Sequence, residues 1–292
     1  MTATIAAAAR PVRLGGRVRL AAGAAMTAPA LALFAVLFLL PMGTAVELAA
    51  VSNGAPTFDR FAQSLSGAYL ADLWFTLATA AAAALLCVGA GLAVAALLHA
   101  LPIRLRRLGE MLVLVPLIVP HIVAAYAIWL TLLPGGPLSA ALAHVGLPGA
   151  LSGFSGGAFA LVIALSWKFL PVATLTIAAA LEGLDRSLVE AAQDAGAGPW
   201  RRFAAITAPQ LYPAMISGGA LVFIMAAAQF SITLVVYAGK SPTTIPMGIY
   251  YEAFGLGRWD LASALGLVLT VATLGVLAIT IRLTRRRAHD DC

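Results

Sequence analysis

Charge is scarce in this chain. Only 10% of its 292 residues are Asp, Glu, Lys or Arg, whereas about 25% is usual in soluble domains. So little charge argues against a soluble enzyme, a disordered protein and a nucleic-acid-binding domain. Cysteine is also scarce. Cys87 lies inside an apolar stretch and Cys292 is the last residue, so a disulfide framework is not expected.

Apolar residues are abundant instead, at 62% of the chain. About 20 consecutive apolar residues are needed to cross the hydrocarbon core of a bilayer as a helix. Six runs reach this length, which predicts an all-α polytopic membrane protein with six transmembrane helices. The first run follows a basic segment, but its length favours a retained helix over a cleaved leader. The runs are 28–48, 73–98, 111–133, 157–181, 214–238 and 261–281.

Prolines in the third and fourth runs are expected to interrupt the helices there. Pro116 and Pro120 fall in the third run and Pro171 in the fourth. Because proline removes a backbone donor and crowds the preceding turn, these helices should be bent or locally opened. The segment 134–156, rich in Gly and Pro, should lie outside the apolar core.

Basic residues are distributed unequally between the two sides of the predicted bundle. Both termini fall on one side, and the positive-inside rule assigns that side to the cytoplasm. The segment 1–27 is then a basic cytoplasmic N-terminus and 283–292 a cytoplasmic tail. The basic excess is explained by this bias, so the lipid bilayer and not nucleic acid is the expected partner. The cytoplasmic side holds fourteen basic residues: Arg10, Arg13, Arg17, Arg19, Arg104, Arg106, Arg107, Arg186, Arg201, Arg202, Arg282, Arg285, Arg286 and Arg287. The other side holds three, Arg60, Lys240 and Arg258, and Lys168 lies within a run.

The segment 184–209, between the fourth and fifth runs, has strong local signals. Ser187 and Glu190 have the spacing of a capping box, which predicts the start of a helix. Gly196 and Gly198 can end it, because glycine tolerates the left-handed conformation found at helix C-termini.

A second short helix is predicted directly after these glycines. Pro199 suits the first turn of a helix, and Pro209 is expected to end it. The two helices would form a compact knob on the cytoplasmic side. Small side chains at Ala191 and Ala192 would allow another protein to approach closely.

This segment resembles the EAA signature of the permease subunits of binding-protein-dependent ABC importers, the MetI-like family. The family pattern is Glu-Ala-Ala, three residues, Gly, nine residues, Ile, one residue, Leu-Pro. The spacing is met throughout, with Ala208 in place of Leu. The matching residues are Glu190, Ala191, Ala192, Gly196, Ile206 and Pro209.

The resemblance covers nearly the whole chain. It implies an ABC transmembrane type-1 domain over 73–282, with five helices and a coupling loop at 184–209. It also implies a second permease subunit, either homologous or identical, and an external substrate-binding protein. A cytoplasmic ABC ATPase dimer would bind the EAA helix and use ATP and Mg, so no cofactor is expected in this chain. The location implied is the bacterial cytoplasmic (inner) membrane.

Enzymatic chemistry is not expected in this chain. Gly239, Lys240 and Ser241 mimic the end of a phosphate-binding loop, but Leu234 stands where its first glycine is required. No motif for a catalytic nucleophile or a metal-dependent hydrolase occurs. The four histidines are scattered without metal-ligand spacing, so no metal site is predicted.

Three polar residues within the apolar runs are candidates for lining the translocation path: Lys168, Gln229 and Ser231. A charge near the membrane centre costs roughly 2.5–3.5 kcal/mol on insertion scales, so Lys168 must face a partner or water. The alternative for Lys168 is structural, with its ammonium bonded to backbone groups near the break expected at Pro171.

The substrate class depends on the resemblance. The run from Trp167 to Pro171 and the segment from Ser241 to Pro246 look most like the branch serving polyamines, iron(III), thiamine and phosphonates. If Lys168 faces the path, its field favours an anion such as 2-aminoethylphosphonate over a polyamine.

Two other classes remain as alternatives. An ion-coupled secondary transporter would need paired or acidic intramembrane residues and inverted repeats, and neither is evident. A non-transporting membrane anchor is the other. Copurification of an ATPase and ATP-dependent uptake distinguish both from an ABC permease.

Overall fold

A computed structural model describes residues 27–52, 54–147, 149 and 157–290. The described chain contains six apolar helical segments long enough to span a membrane, which confirms the predicted all-α, six-span fold. We number helices in chain order. The segments are Thr27–Ala50 (α1), Gly67–Ala100 (α3), His121–His144 (α5 and α6), Ala158–Glu182 (α7), Pro199–Ala227 (α9) and Trp259–Arg282, part of α12.

Shorter elements connect or extend these segments. A two-residue antiparallel pair, β1 with β2, follows α1 and pairs Val51 with Pro56. The other bounds are β1 Val51–Ser52, β2 Ala55–Pro56, α2 Asp59–Ser64, α4 Ile103–Ile118, α5 His121–Leu132, α6 Pro137–His144, α8 Arg186–Asp194, α10 Ser231–Val236, α11 Ile245–Tyr250 and α12 Trp259–Asp290.

The third apolar run is opened, as predicted. α4 ends at Ile118 and α5 begins at His121. Val119 between them is extended, the conformation that a following proline imposes. The helix is not opened at Pro171, because α7 continues through this residue without interruption, and a bend at this proline stays a prediction.

The third span, predicted at 111–133, is found at His121–His144, so part of the segment 134–156 belongs to a span and the prediction that it lies outside the apolar core is wrong for that part. The fifth span is also displaced from its predicted position. The prediction was 214–238, whereas α9 begins at Pro199 and ends at Ala227. Pro209 therefore does not end the second helix of the knob, as the sequence suggested. A wide π-turn at Phe203–Thr207 precedes it. Such a turn relaxes the backbone so that the helix accommodates the proline.

The core of the bundle consists of α3, α7 and α9, which pack directly against one another. Alanines at the contacts, such as Ala83, Ala164 and Ala173, are fully buried. Small side chains let membrane helices approach closely. One such close approach of α3 to α7 is at Gly91, where an added Cβ would lie 3.0 Å from the backbone nitrogen of Thr174.

Gly91→Ala is expected to destabilise the bundle, by about 1–3 kcal/mol for overpacking. The matched control is Gly89→Ala in the same helix, because a Cβ at Gly89 meets nothing within 4 Å. Both changes improve helix propensity equally. Thermal unfolding in detergent should therefore show a lower Tm for the first variant only. Equal Tm values for both variants would contradict the close contact.

The candidate coupling site

The first helix of the knob, α8, begins at an aspartate. Asp185 is its N-cap, and one carboxylate oxygen accepts hydrogen bonds from the Ser187 amide at 2.9 Å and hydroxyl at 2.7 Å. These bonds hold the pKa of the Asp185 carboxyl below its usual value. The predicted capping box is therefore wrong. Ser187 lies inside the first turn, and Glu190 lies beyond the positions that need capping.

The end of α8 is closed by glycine. Gly196 has a φ of +77°, and its amide donates to the Gln193 carbonyl at 2.9 Å. The Ala197 amide donates to the Ala192 carbonyl, also at 2.9 Å. Together these bonds form a Schellman motif. The prediction that Gly196 ends the helix is confirmed. Gly198 has another role, because its φ of −64° is ordinary and it precedes α9 as N-cap.

The second helix of the knob starts at Pro199, as predicted, and is continuous with the fifth span. Arg202 in its first turn donates from Nη1 to the Gln193 side-chain oxygen of α8 at 2.7 Å. We call residues 185–207 the coupling knob. α9 continues from the coupling knob into the bundle without a break, so a continuous helix joins the knob to the fifth span.

The coupling knob exposes apolar side chains. Trp200 is 77% exposed and Leu188 is 51% exposed. Ala191 beside them is exposed and Ala192 is half-buried. The Trp200 ring contacts Phe203, with centroids 5.8 Å apart. Large apolar side chains exposed together on a surface are typical of a protein contact site.

The remaining motif residues line two depressions beside the knob. Glu190 borders a cavity of about 280 Å³ that also reaches His99, at the end of α3. Ile206 and Pro209 border a second depression together with Leu188. The EAA motif residues therefore all lie on or next to the coupling knob.

Lys168 lies inside the bundle. The residue is 1% exposed, and its ammonium donates to the carbonyls of Pro116 at 2.7 Å and Val119 at 2.5 Å, with Leu117 at 3.4 Å. These carbonyls belong to the C-terminal end of α4, where a cation is favoured by the helix dipole. The contacts favour the structural alternative, with the ammonium at the break after α4 and not at Pro171. A role in the path stays a prediction.

Lys168→Met is expected to lower the stability of the bundle, because the carbonyls at the break after α4 lose their hydrogen-bond donor. A buried group left unpaired costs about 1–3 kcal/mol. The relative uptake of anionic and cationic substrates should stay unchanged, since the ammonium is occupied by backbone oxygens. Thermal unfolding and competition uptake assays measure the two effects. A changed substrate preference with an unchanged Tm would contradict this assignment.

Gln229 and Ser231 lie where the fifth span is broken. α9 ends at Ala227 and α10 starts at Ser231. The Gln229 amide nitrogen is buried, with no hydrogen-bond partner among the described residues. Phe230 between them stacks near Tyr250, with ring centroids 5.0 Å apart. Lining of the path by Gln229 and Ser231 stays a prediction.

Sequence reasoning missed two buried carboxylates on the side of the bundle opposite the coupling knob. The first is Asp72, which lies one residue before the predicted second run. It accepts a hydrogen bond from the Thr243 amide at 2.7 Å. One turn later, the Thr76 hydroxyl oxygen accepts from the Ile245 amide at 2.8 Å. The feature of the sequence that could have indicated this site is a single aspartate at the edge of an apolar run.

The second carboxylate is Glu252, which follows α11. It accepts a hydrogen bond from the Tyr69 hydroxyl at 2.5 Å and another from Arg258 Nε at 2.6 Å. These contacts tie the start of α3 to the segment between α11 and α12. Because Tyr69 lies 183 residues before Glu252, spacing could not reveal that contact. Within the described residues, no three metal-ligating side chains come together.

A helical membrane bundle with a helical knob continuous with one of its spans has the architecture of a transport permease. Residues 88–286 match the family described as binding-protein-dependent transport system inner membrane component. The chain belongs to this family, and the prediction of an ABC importer permease subunit in the inner membrane is confirmed. The ion-coupled and anchor alternatives are not supported.

Curated relatives have several different substrates in their names. The chain is 32% identical to the sn-glycerol-3-phosphate transport system permease protein UgpA of Yersinia pestis bv. Antiqua, over 89% of this chain and 93% of that protein. It is 26% identical to the spermidine/putrescine permease PotB of Haemophilus influenzae, over 74% and 75%. It is 32% identical to the putative 2-aminoethylphosphonate permease PhnU of Salmonella typhimurium, over 38% of each chain.

The fold is similar to that of solved ABC transporters. A chain of a bacterial transporter that imports the acidic polysaccharide alginate superposes with a TM-score of 0.74. The similarity covers 92% of this chain and 96% of that one, at 21% identity. At this identity the likeness concerns the fold alone.

Proposed function

We propose that this chain is one of two permease subunits forming the translocation pathway of an ATP-driven importer. A separate ATPase dimer binds the coupling knob, and an external binding protein delivers the substrate. The observation that carries this proposal is the coupling knob itself. It combines the EAA residues, a Schellman closure at Gly196 and an unbroken helix into the fifth span. ATP can switch the pathway only through contacts that differ between two states, and such a knob can supply them.

The binding surface proposed for the ATPase consists of the exposed apolar residues of the knob, Leu188, Ala191 and Trp200. Aromatic side chains dominate the binding energy of protein interfaces when they fill a pocket on the partner. Small Ala191 leaves room for close approach of the ATPase surface. The experiment is purification of the tagged chain with its ATPase, followed by ATP-dependent uptake into proteoliposomes. Purification without any ATPase, or uptake that needs no ATP, would contradict the proposal.

We propose that the coupling knob and both termini are cytoplasmic. The support is the distribution of basic residues, with fourteen on the knob side and three on the other. This orientation places the knob where ATP is available. It places on the external side the hydrogen bonds by which Asp72 and Thr76 hold the amides of Thr243 and Ile245.

Labelling of the terminal cysteine tests this orientation. A membrane-impermeant thiol reagent is expected to leave intact cells unlabelled and to label Cys292 in inside-out vesicles. Cys87 is buried and should not react in either preparation. Cys292→Ser is the control that must abolish the vesicle signal. Labelling of Cys292 in intact cells would overturn the orientation.

For the substrate, we propose a small solute with a phosphonate or phosphate group, with 2-aminoethylphosphonate as the first candidate. The support comes from UgpA and PhnU, whose named substrates share this chemistry. Lys168 does not support the choice of an anion, because its ammonium is hydrogen-bonded to carbonyls within the bundle. The polyamine class is the second candidate, favoured by the similarity to PotB. The branch that the sequence resembles also serves iron(III) and thiamine.

Competition uptake decides between these classes. Cells or proteoliposomes with the cognate binding protein receive labelled 2-aminoethylphosphonate, sn-glycerol 3-phosphate or spermidine. We expect ATP-dependent accumulation of a phosphonate or phosphate, reduced by an excess of the other unlabelled anion. Accumulation of spermidine alone would exclude the anionic class and leave the permease assignment intact.

A further inference from the structure

A cavity separates the helix α8 of the coupling knob from the bundle. Its volume is about 280 Å³. The bundle contributes the ends of α3 and α7, and the coupling knob contributes α8 and the π-turn of α9. The lining residues are His99, Leu181, Leu184, Val189, Glu190 and Thr207.

Two polar side chains among the residues that line this cavity, His99 and Glu190, have functional atoms without a hydrogen-bond partner in the described part of the chain. The Nδ1 atom of His99 is buried and makes no hydrogen bond to any described residue. Leaving a buried polar atom unpaired costs about 1–3 kcal/mol, so a partner in another conformation would lower the energy of that conformation. Glu190 is exposed and is the one carboxylate among the residues that line the cavity.

We propose that His99 is a positioning residue for the coupling helix α8. When α8 moves toward the bundle and the cavity narrows, Nδ1–H of His99 donates to the Glu190 carboxylate. The contact exists in one of the two transport states and is absent in the conformation described here. This inference rests on the proposed function, because it assumes that an ATPase moves the knob.

The geometry favours α8 as the moving part. α8 lies between two turns, at 183–185 and 195–198, and a hydrogen bond from Arg202 to Gln193 joins it to α9. His99 lies near the end of α3, which belongs to the packed core. Thr207 also lines the cavity, but it belongs to α9, which is continuous with the fifth span.

Cross-linking tests the movement directly. The variant carries His99→Cys, Glu190→Cys and Cys292→Ser, and the complex with its ATPase is treated with a short bifunctional thiol reagent. We expect the cross-linked fraction to differ at least about fivefold between nucleotide-free and ATP-vanadate-trapped complexes, because the ATPase, and not the contact that this variant removes, drives α8 between the two states. Equal cross-linking in the two states would overturn the proposal.

Coupling measurements provide the second test. His99→Ala and Glu190→Gln should each lower the substrate moved per ATP hydrolysed, by about tenfold. The double variant should be no worse than either single one, and His99→Gln should restore part of the loss because its amide can donate. His144→Ala, on an exposed histidine at the end of α6, is the control and should have no effect.

The outcomes separate this inference from the proposed function. Retention of the ATPase together with a lower transport ratio supports the contact between His99 and Glu190. Additive losses in the double variant, or a lower Tm with an unchanged transport ratio, would indicate a merely structural histidine and overturn the inference. Absence of the ATPase from the wild-type complex would overturn the proposed function itself.

Discussion

Gly196→Val is expected to abolish ATP-driven uptake while the chain still inserts into the membrane. Gly196 has a φ of +77°, a conformation that costs an L-residue about 1–2 kcal/mol and a β-branched residue more. Valine would therefore open the Schellman motif and release the turn between α8 and α9. The spans are untouched, so membrane insertion should be normal. Uptake and membrane abundance are the measurements.

Two further variants separate conformation from the simple loss of a glycine. Gly196→Asn should retain most of the uptake, because asparagine tolerates the left-handed conformation. Gly198→Ser should be nearly neutral, since Gly198 has an ordinary φ of −64° and serine is a good N-cap. Full uptake by Gly196→Val would remove the turn from the coupling mechanism.

Trp200→Ala is expected to release the ATPase from the complex. Trp200 is exposed at 77%, more than the other large apolar side chain exposed on the described part of the coupling knob, Leu188. Interface tryptophans often contribute 2 kcal/mol or more, which corresponds to about a 30-fold loss of affinity. Because Trp200 is exposed, the substitution should have little effect on the stability of the permease without its ATPase. Copurification of the ATPase at several protein concentrations gives the change in affinity.

Trp74→Ala is the matched control for this variant. Trp74 is 66% exposed but lies near the start of α3, at the opposite end of the bundle. The control should retain the ATPase fully. If both variants retain it, Trp200 belongs to the membrane interface, where tryptophan is also common.

Much of the fold could be predicted from the sequence because the bilayer imposes a simple rule. Each of the six runs is long and apolar, so the number of spans and their approximate positions follow. The fifth span could not be placed, since its helix begins at Pro199 within a segment that looks like a loop. No glycine or proline marks its end at Ala227 either.

The coupling site was predictable in part. Gly196 and Pro199 mark local backbone conformations, and these depend little on distant residues. The N-cap at Asp185 was missed because Ser187 and Glu190 have a plausible capping spacing of their own. The partners of Lys168 lie about 50 residues earlier in the chain, and no pattern in the sequence indicates such a contact.

The most direct test of the account is cross-linking of the coupling knob to the ATPase. Ala191→Cys with Cys292→Ser places one exposed thiol on α8, and Ser66→Cys in the same background places one on the opposite side, before α3. In the purified complex, a thiol-to-amine reagent should join Ala191→Cys to the ATPase and should leave Ser66→Cys unlinked. Failure of Ala191→Cys to link to an ATPase that copurifies and drives uptake would show that the coupling knob is not the binding site.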